Sequence, residues 1–266
     1  MVFEGKKKAG EIEVGLKQRV AELGRKPALV ILWVGDNQAS AKYIENKKGL
    51  GERIGAEVRV ERVEAVELED RLKKFVDDKN IDGVMVQLPV PGIDPDKVRE
   101  LLEIIPVAKD VDGLSSENLR LIATGEQEFL PATVMAVGKI MDEAIREVGL
   151  DIERMKVAVV GSKGMVGKPL VSQLKRFGFE VGEFDLGDGL ELGEYDVVIS
   201  ATGQTGLIKK SMVKKGVVAI DVGFPKGDFE EGIDQVASFV TPVPGGVGPM
   251  TVVCLFENLV RSVENE

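Results

Sequence analysis

Apolar residues recur with helical spacing over residues 10–23, where Ile12, Leu16, Val20 and Leu23 share one face and Gly24 ends the pattern. The next segment, Ala28-Leu29-Val30-Ile31-Leu32-Trp33-Val34, is apolar throughout and stops at Gly35. A run of this length without alternation predicts a parallel strand covered on both faces. The pattern continues with a helix from about 40 to 53, a short strand near 57–60, a helix near 68–79 and a strand over 83–88. Helix and strand in regular succession predict a parallel sheet clothed by helices.

A long helix over 131–148, with Pro131 suited to its first turn, leads into a second alternating stretch. Strands are expected at 156–160, 180–184, 195–201 and 217–222, with a helix over 165–177 between the first two. A closing helix over about 250–263 is expected to fold back onto the first part. No repeat and no low-complexity tract interrupts this order.

Composition then removes whole classes of chemistry. The chain has 266 residues and no histidine, which excludes Ser-His-Asp and Cys-His catalysis and every His-ligated zinc site. No metal site is expected, and proton transfer falls to Lys, Tyr, Asp, Glu or water. A net charge of −10 argues against a nucleic-acid partner. No run approaches the ~18 consecutive apolar residues of a membrane helix, and the basic N-terminus lacks the apolar segment of a secretory signal. The lone Cys254 fits a reducing cytoplasm and, set in an apolar stretch, reads as a core residue.

One loop suggests a ligand. The strand Val157-Ala158-Val159-Val160 runs into Gly161-Ser162-Lys163-Gly164-Met165-Val166-Gly167, which opens a helix. Glycines at such a turn let the backbone approach a pyrophosphate, whose charge the helix N-terminus favours. The spacing is G-x-x-G-x-x-G, and a variant loop alone reads equally well as an ordinary tight turn. Asp185 follows Gly161 by 24 positions, close to the offset at which an acid meets the adenosine ribose; a solvated strand-end acid is the plainer alternative. Ala201-Thr202-Gly203 and Asp221-Val222-Gly223 end later strands at the same carboxyl edge. The expected fold class is α/β in two domains. One is an αβα N-terminal domain with a parallel sheet over 1–130, completed by a helix at 250–266. The other is a Rossmann-like, doubly wound dinucleotide-binding domain over 131–249.

Ser40, Tyr43 and Lys47 are spaced i, i+3, i+7, so a helix carries them on one face. Alone, Lys47 beside Lys48 reads as a solvated surface lysine. Gln87 weighs against that, because it ends the apolar strand Val84-Met85-Val86 and a polar group there needs a partner.

Four segments, in this order, resemble the bifunctional methylenetetrahydrofolate dehydrogenase/methenyltetrahydrofolate cyclohydrolase family. They are Ser40-Ala41-Lys42-Tyr43-Ile44-Glu45-Asn46-Lys47, then Asp82-Gly83-Val84-Met85-Val86-Gln87-Leu88-Pro89-Val90-Pro91, then Lys109-Asp110-Val111-Asp112-Gly113, and finally Thr241-Pro242-Val243-Pro244-Gly245-Gly246-Val247-Gly248-Pro249-Met250-Thr251. The resemblance spans roughly residues 10–262. It implies oxidation of 5,10-methylenetetrahydrofolate with NAD or NADP, then hydrolysis to the 10-formyl product. It makes Lys47 the catalytic lysine, Gln87 its hydrogen-bond partner, Tyr43 the ring beside the folate and Asp112 the anchor of the pterin. The folate site implied also includes Ser40, Val86, Leu88, Pro89, Pro244, Gly245, Gly246 and Thr251. The dinucleotide would meet Gly161 to Gly167, Asp185, Ala201 to Gly203 and Asp221 to Gly223. Tetrahydrofolate partners, polyglutamylated or not, and a homodimer formed through the dinucleotide domain are further implications.

The chain departs from the family pattern where NADP-using members carry an Arg-Ser pair after the first loop glycine; here Ser162-Lys163 stand there. Asp185-Leu186 replaces the usual His followed by Ser or Arg, and a carboxylate there would repel a 2′-phosphate. NADP is the family default, and these residues bring NAD forward. A dehydrogenase without cyclohydrolase activity and a non-catalytic dinucleotide sensor are the competing expectations; a sensor would have no use for Lys47, Gln87 and Asp112.

Overall fold

The structure is a computed structural model that describes residues 1–127 and 129–265. The chain forms two compact units. The N-terminal unit comprises Gly10–Ala132 and the stretch from Val252 onward; the central unit comprises Thr133–Thr251 together with Met1–Ala9.

In the N-terminal unit, α1 (Gly5–Glu22) precedes β1 (Ala28–Val34), α2 (Gln38–Ile54), β2 (Glu57–Val63), α3 (Leu68–Val76) and β3 (Gly83–Val86). The three strands form a parallel sheet in the order β2-β1-β3. The central position of β1 explains its unbroken apolar run. Val30, Leu32 and Val34 bury one face against Leu68, Leu72 and Phe75 of α3. On the opposite face Gly51 of α2 packs so closely that a Cβ there would collide with Val58 of β2. Strand β2 lies at the edge and keeps the charged residues Glu57, Arg59 and Glu61 in alternation with Val58 and Val60. At the start of β3, Asp82 accepts a paired hydrogen bond from Arg25 and a third bond from the Ala28 amide, which sets the level of β3 against β1.

Two further helices, α4 (Pro95–Leu102) and α5 (Ser116–Thr124), escape the apolar pattern because each spans only about two turns. Both carry recognisable caps: Asp94 accepts from the Asp96 amide ahead of Pro95, and Ser115 accepts from the Asn118 amide. Strand β3 ends at Val86, two residues earlier than its pattern suggests, although the Gln87 amide still bonds the Leu32 carbonyl.

The central unit begins with α6 (Ala132–Val148) and continues through β4 (Lys156–Val160), α7 (Gly167–Arg176), β5 (Glu180–Phe184), β6 (Val197–Ser200), β7 (Val218–Asp221) and β8 (Phe239–Val240). Helix α8 (Val247–Glu264) closes the chain. The parallel sheet has the order β5-β4-β6-β7-β8, so the chain reverses its direction of growth at β4. The loops after β4 and β6 therefore flank the switch point, where ligands bind in open parallel sheets. Strand β8 is only two residues long and leaves no pattern in the sequence. The extreme N-terminus extends that edge: the Phe3 amide bonds Val240 O, the Val240 amide bonds Met1 O, and the Phe3 ring packs on Phe239. These contacts place Met1–Ala9 in the central unit, where the pattern alone assigned them to the first domain.

Candidate functional site

Helix α2 starts at a cap in which the Asn37 side chain accepts from the Ala39 and Ser40 amides, and it ends at Gly55 in the left-handed region. This fixes which residues face the sheet. Ser40, Ile44, Lys47, Leu50 and Ile54 are buried, whereas Lys48 is exposed. Lys47 is only 6% exposed, so it is no surface lysine. Its Nζ donates to Gln87 Oε1 at 2.9 Å and lies 3.6 Å from Met85 Sδ. Gln87 Nε2 in turn donates to the Leu88 carbonyl at 2.8 Å, which turns the amide oxygen toward the lysine. The end of β3 thus holds the amine with neutral acceptors, and among the described residues no ion pair reaches it.

Burial lowers the proton affinity of Lys47, and the nearby Asp112 carboxylate opposes that effect. Burial raises the Asp112 carboxyl; Lys47 pulls it down and Asp110 pushes it up. Tyr43, half-buried one turn before Lys47, has its hydroxyl raised by burial. Lys47, Gln87, Tyr43 and Asp112 therefore belong to one unit and feel one low-polarity environment. Val86 is buried at the end of β3, with Leu88 and Pro89 immediately after it.

Asp112 sits in a loop built by Asp110, Gly113 and Asn258, to which the sequence pattern assigns no role of their own. Asp110, 2% exposed, accepts from the amides of Gly113, Leu114 and Ser115 and from Asn118 Nδ2. Gly113 has φ 72°, and a Cβ there would meet Pro131 N at 2.8 Å. From α8, Asn258 Nδ2 donates to both Val111 O and Leu130 O, clasping the two strands of the loop. A polar residue within Leu255-Phe256-Glu257-Asn258-Leu259-Val260 was the available signal, since a buried amide on an apolar face must satisfy something. Replacing Asp110 by Ala leaves these buried donors without an acceptor. The expected loss is about 2–4 kcal/mol in denaturant unfolding, together with weaker folate binding; unchanged stability would show that the loop holds itself.

In the central unit, Gly161 follows β4 with φ 86°, and a Cβ there would meet the Ala201 carbonyl at 2.7 Å. Gly167 opens α7, and a Cβ on it would collide with the Gly161 carbonyl. Two of the three loop glycines are thus required by packing of the turn itself, while Gly164 is exposed and less constrained. No side chain caps α7, whose first amides lie beside this turn. Lys163, Gly164 and Met165 form its exposed crest and Ser162 is buried. Asp185 closes one end: it accepts from Ser162 Oγ at 2.7 Å and the Lys163 amide at 3.2 Å, with Lys163 Nζ 3.4 Å away. Burial favours protonation of Asp185, but these bonds and the lysine charge outweigh it and hold the carboxyl below its ordinary value. A left-handed glycine, an uncapped helix start and a fixed acid after the next strand suit a dinucleotide.

The remaining expected residues are placed unequally. Ala201, Thr202 and Gly203 form the turn after β6, across the switch point from Gly161. Asp221, at the end of β7, turns inward to accept from the Gly223 and Phe229 amides; burial raises its carboxyl against those bonds. Val222 extends the strand through an amide bond to Ser200 O. Pro244, Gly245 and Gly246 lie in the loop after β8, where the Gly246 amide bonds Pro242 O. The Thr251 hydroxyl is bonded back to Val247 O within α8.

A parallel sheet with a glycine turn at its switch point, and a second unit carrying a buried lysine of lowered proton affinity, define a dinucleotide-dependent enzyme. Comparison narrows the class. The family model for the tetrahydrofolate dehydrogenase/cyclohydrolase catalytic domain matches residues 3–112, and that for its NAD(P)-binding domain matches residues 131–266. The bifunctional protein FolD of Hydrogenobaculum sp. is 36% identical, with 98% of each chain covered. The bifunctional FolD dehydrogenase/cyclohydrolase of Campylobacter jejuni superposes with a TM-score of 0.90 at 31% identity, covering 100% of this chain and 99% of that one. The Trypanosoma brucei enzyme, solved with NADP and an inhibitor, gives a TM-score of 0.90 at 27% identity, covering 100% and 97%. The chain belongs to the tetrahydrofolate dehydrogenase/cyclohydrolase family.

Proposed function

We propose that the chain works both of the family's reactions at Lys47 and prefers NAD as the dinucleotide. It is a methylenetetrahydrofolate dehydrogenase and a methenyltetrahydrofolate cyclohydrolase. The dinucleotide, held by the Gly161–Gly167 loop, would supply the acceptor for hydride lost from the carbon that bridges two folate nitrogens; water would then add to that carbon, and its bond to one of the two nitrogens would break to leave the formyl product and release a proton. The observation that carries the reading is the buried Lys47 side-chain nitrogen, held by the Gln87 amide oxygen. Burial lowers the proton affinity of Lys47 and so favours the free amine, which can take the proton from the attacking water while Gln87 holds its nitrogen in place. The cationic methenyl substrate favours the neutral amine further. Asp112 offers two carboxylate oxygens to the paired N–H donors of the pterin, and Tyr43 packs beside the ring.

This role fixes a sign for the pH dependence. Burial favours neutral Lys47, so hydrolysis falls as pH drops through a value below the ~10.4 of an ordinary lysine. Between the lowered folded value and the ordinary unfolded one the unfolded chain binds more protons, so the lysine's contribution to stability rises with pH. A pH–rate profile of methenyltetrahydrofolate hydrolysis without an acid limb below that ordinary value would remove Lys47 as the base.

The preference for NAD rests on Asp185, whose carboxylate occupies the end of the strand after the glycine loop. A homodimer through the central unit belongs to the same reading: β5 is an edge strand, and Phe177 and Leu186 beside it are 67% and 58% exposed. Among the described residues no helix is long and apolar enough to cross a membrane.

A further inference from the structure

Asp228 lies in the loop after β7 and is fully buried. Its Oδ2 accepts from Ser200 Oγ at 2.7 Å, Thr202 N at 2.8 Å, Thr202 Oγ1 at 2.9 Å and Gly203 N at 3.2 Å. A single carboxylate oxygen thereby gathers Ser200, the last residue of β6, with Thr202 and Gly203 of the turn beyond it. Its other oxygen, Oδ1, has no hydrogen-bond partner among the described residues and abuts Gly223: a Cβ there would collide with it and would lie 2.9 Å from Asp221 Oδ1. Asp221 completes the arrangement from the other side. Its Oδ1 accepts from the Gly223 amide at 2.8 Å and its Oδ2 from the Phe229 amide at 3.2 Å.

The sheet does not need these bonds, since β6 and β7 pair through their own ladder. What the two acids fix is the path of three turns beyond the strand ends, at residues 201–203, 222–224 and 226–229. Burying a carboxylate costs several kcal/mol unless donors converge on it. Three of the four hydrogen bonds that converge on Asp228 come from Thr202 and Gly203, in the turn facing the Gly161 loop across the switch point, and the fourth from Ser200 at the end of β6.

We infer that Asp228 is a positioning residue of the dinucleotide site: it sets the backbone of the 201–203 turn, with Gly223 as the side-chain-free spacer between it and Asp221. The inference rests on the reading of 201–203 and 221–223 as the dinucleotide edge. The two reactions supply the control, because hydrolysis of methenyltetrahydrofolate needs no dinucleotide and its lysine lies in the other unit.

The test uses the full chain with Asp228→Ala, Asp228→Asn and Gly223→Ala, measuring the dinucleotide KM and kcat of the dehydrogenase and the turnover of the cyclohydrolase. Asp228→Ala should raise the dinucleotide KM by about tenfold or more, with a smaller change in kcat, as expected for several unpaired donors. Asp228→Asn, which still presents an oxygen to the same donors, should recover most of that loss. Gly223→Ala should reproduce the KM effect by displacing both carboxylates. Cyclohydrolase turnover should stay within about twofold in all three, given that the interactions are local. A dinucleotide KM unchanged in Asp228→Ala overturns the inference, as does parallel loss of both activities in Asp228→Ala and Asp228→Asn, which would assign the acid to folding alone. Wild-type chain that binds neither dinucleotide would instead overturn the reading beneath it.

Discussion

Lys47→Met should lose cyclohydrolase turnover by about 10²–10⁴-fold, the range that a positioned proton-transfer group contributes. Methionine is one heavy atom shorter than lysine, and its flexible, apolar chain fills most of the same space beside Met85, so the fold survives. Two stability effects oppose each other. Removing a desolvated amine relieves the cost of burying it, while Gln87 Oε1 loses its donor at about 1–3 kcal/mol. Thermal unfolding should therefore move little while turnover collapses, and that contrast separates chemistry from structure. Lys47→Arg should also be inactive, since guanidinium remains charged and cannot accept a proton. Gln87→Glu provides the complementary test. A carboxylate in place of an amide oxygen 2.9 Å from Nζ favours the ammonium, so the acid limb of hydrolysis should move to higher pH. Turnover of Lys47→Met within a few-fold of wild type would exclude the lysine from the mechanism.

How far the sequence exposes this site depends on whether a residue's job is local. The buried run at 28–34 and the glycine turn at 161–167 are legible because period and punctuation follow directly from strand burial and loop geometry. Lys47 is legible only in combination: beside Lys48 it looks solvated, and helix phase together with Gln87 distinguishes the buried amine from its exposed neighbour. Asp110 looks like one more acid of a turn, and only the fold shows that it gathers three amides of the next five residues and the Asn118 side chain at the start of α5. Asp228 is invisible to any local pattern. Asp228 stands among charged residues, Lys226, Glu230 and Glu231, and its donors lie more than 20 positions earlier in the chain. Long-range hydrogen bonding of this kind is set by topology, here the adjacency of β6 and β7, and topology is what residue spacing does not encode. The same limit explains the N-terminus. Nothing in Met1-Val2-Phe3 announces that it will extend the sheet at β8, a strand too short to leave a pattern.

The second large effect concerns the adenosine end of the dinucleotide. Wild-type chain should turn over NAD in preference to NADP by about 10–100-fold in kcat/KM. A 2′-phosphate brought to within about 4 Å of the Asp185 carboxylate meets a repulsion of roughly 4 kcal/mol per charge pair at a partly exposed site, reduced by salt and by Lys163. Lys163 offsets only part of it, because its Nζ is 3.4 Å from Asp185 on a side chain 84% exposed, where charge is well screened. The acid is no passive surface group either: with Ser162 and the Lys163 amide bonded to it, it stays ionised and fixed. Asp185→Ser removes the repelling charge and frees Lys163 to face the phosphate. NADP turnover should then rise about tenfold or more, while NAD loses the acceptor for its ribose hydroxyls. Adding Lys163→Ala to Asp185→Ser should cancel part of the NADP gain, since the lysine is then the nearest cation left to receive the phosphate. Steady-state kinetics with both dinucleotides decide the matter, and a wild-type preference for NADP would mean that Lys163 and the loop amides govern this end of the site rather than Asp185.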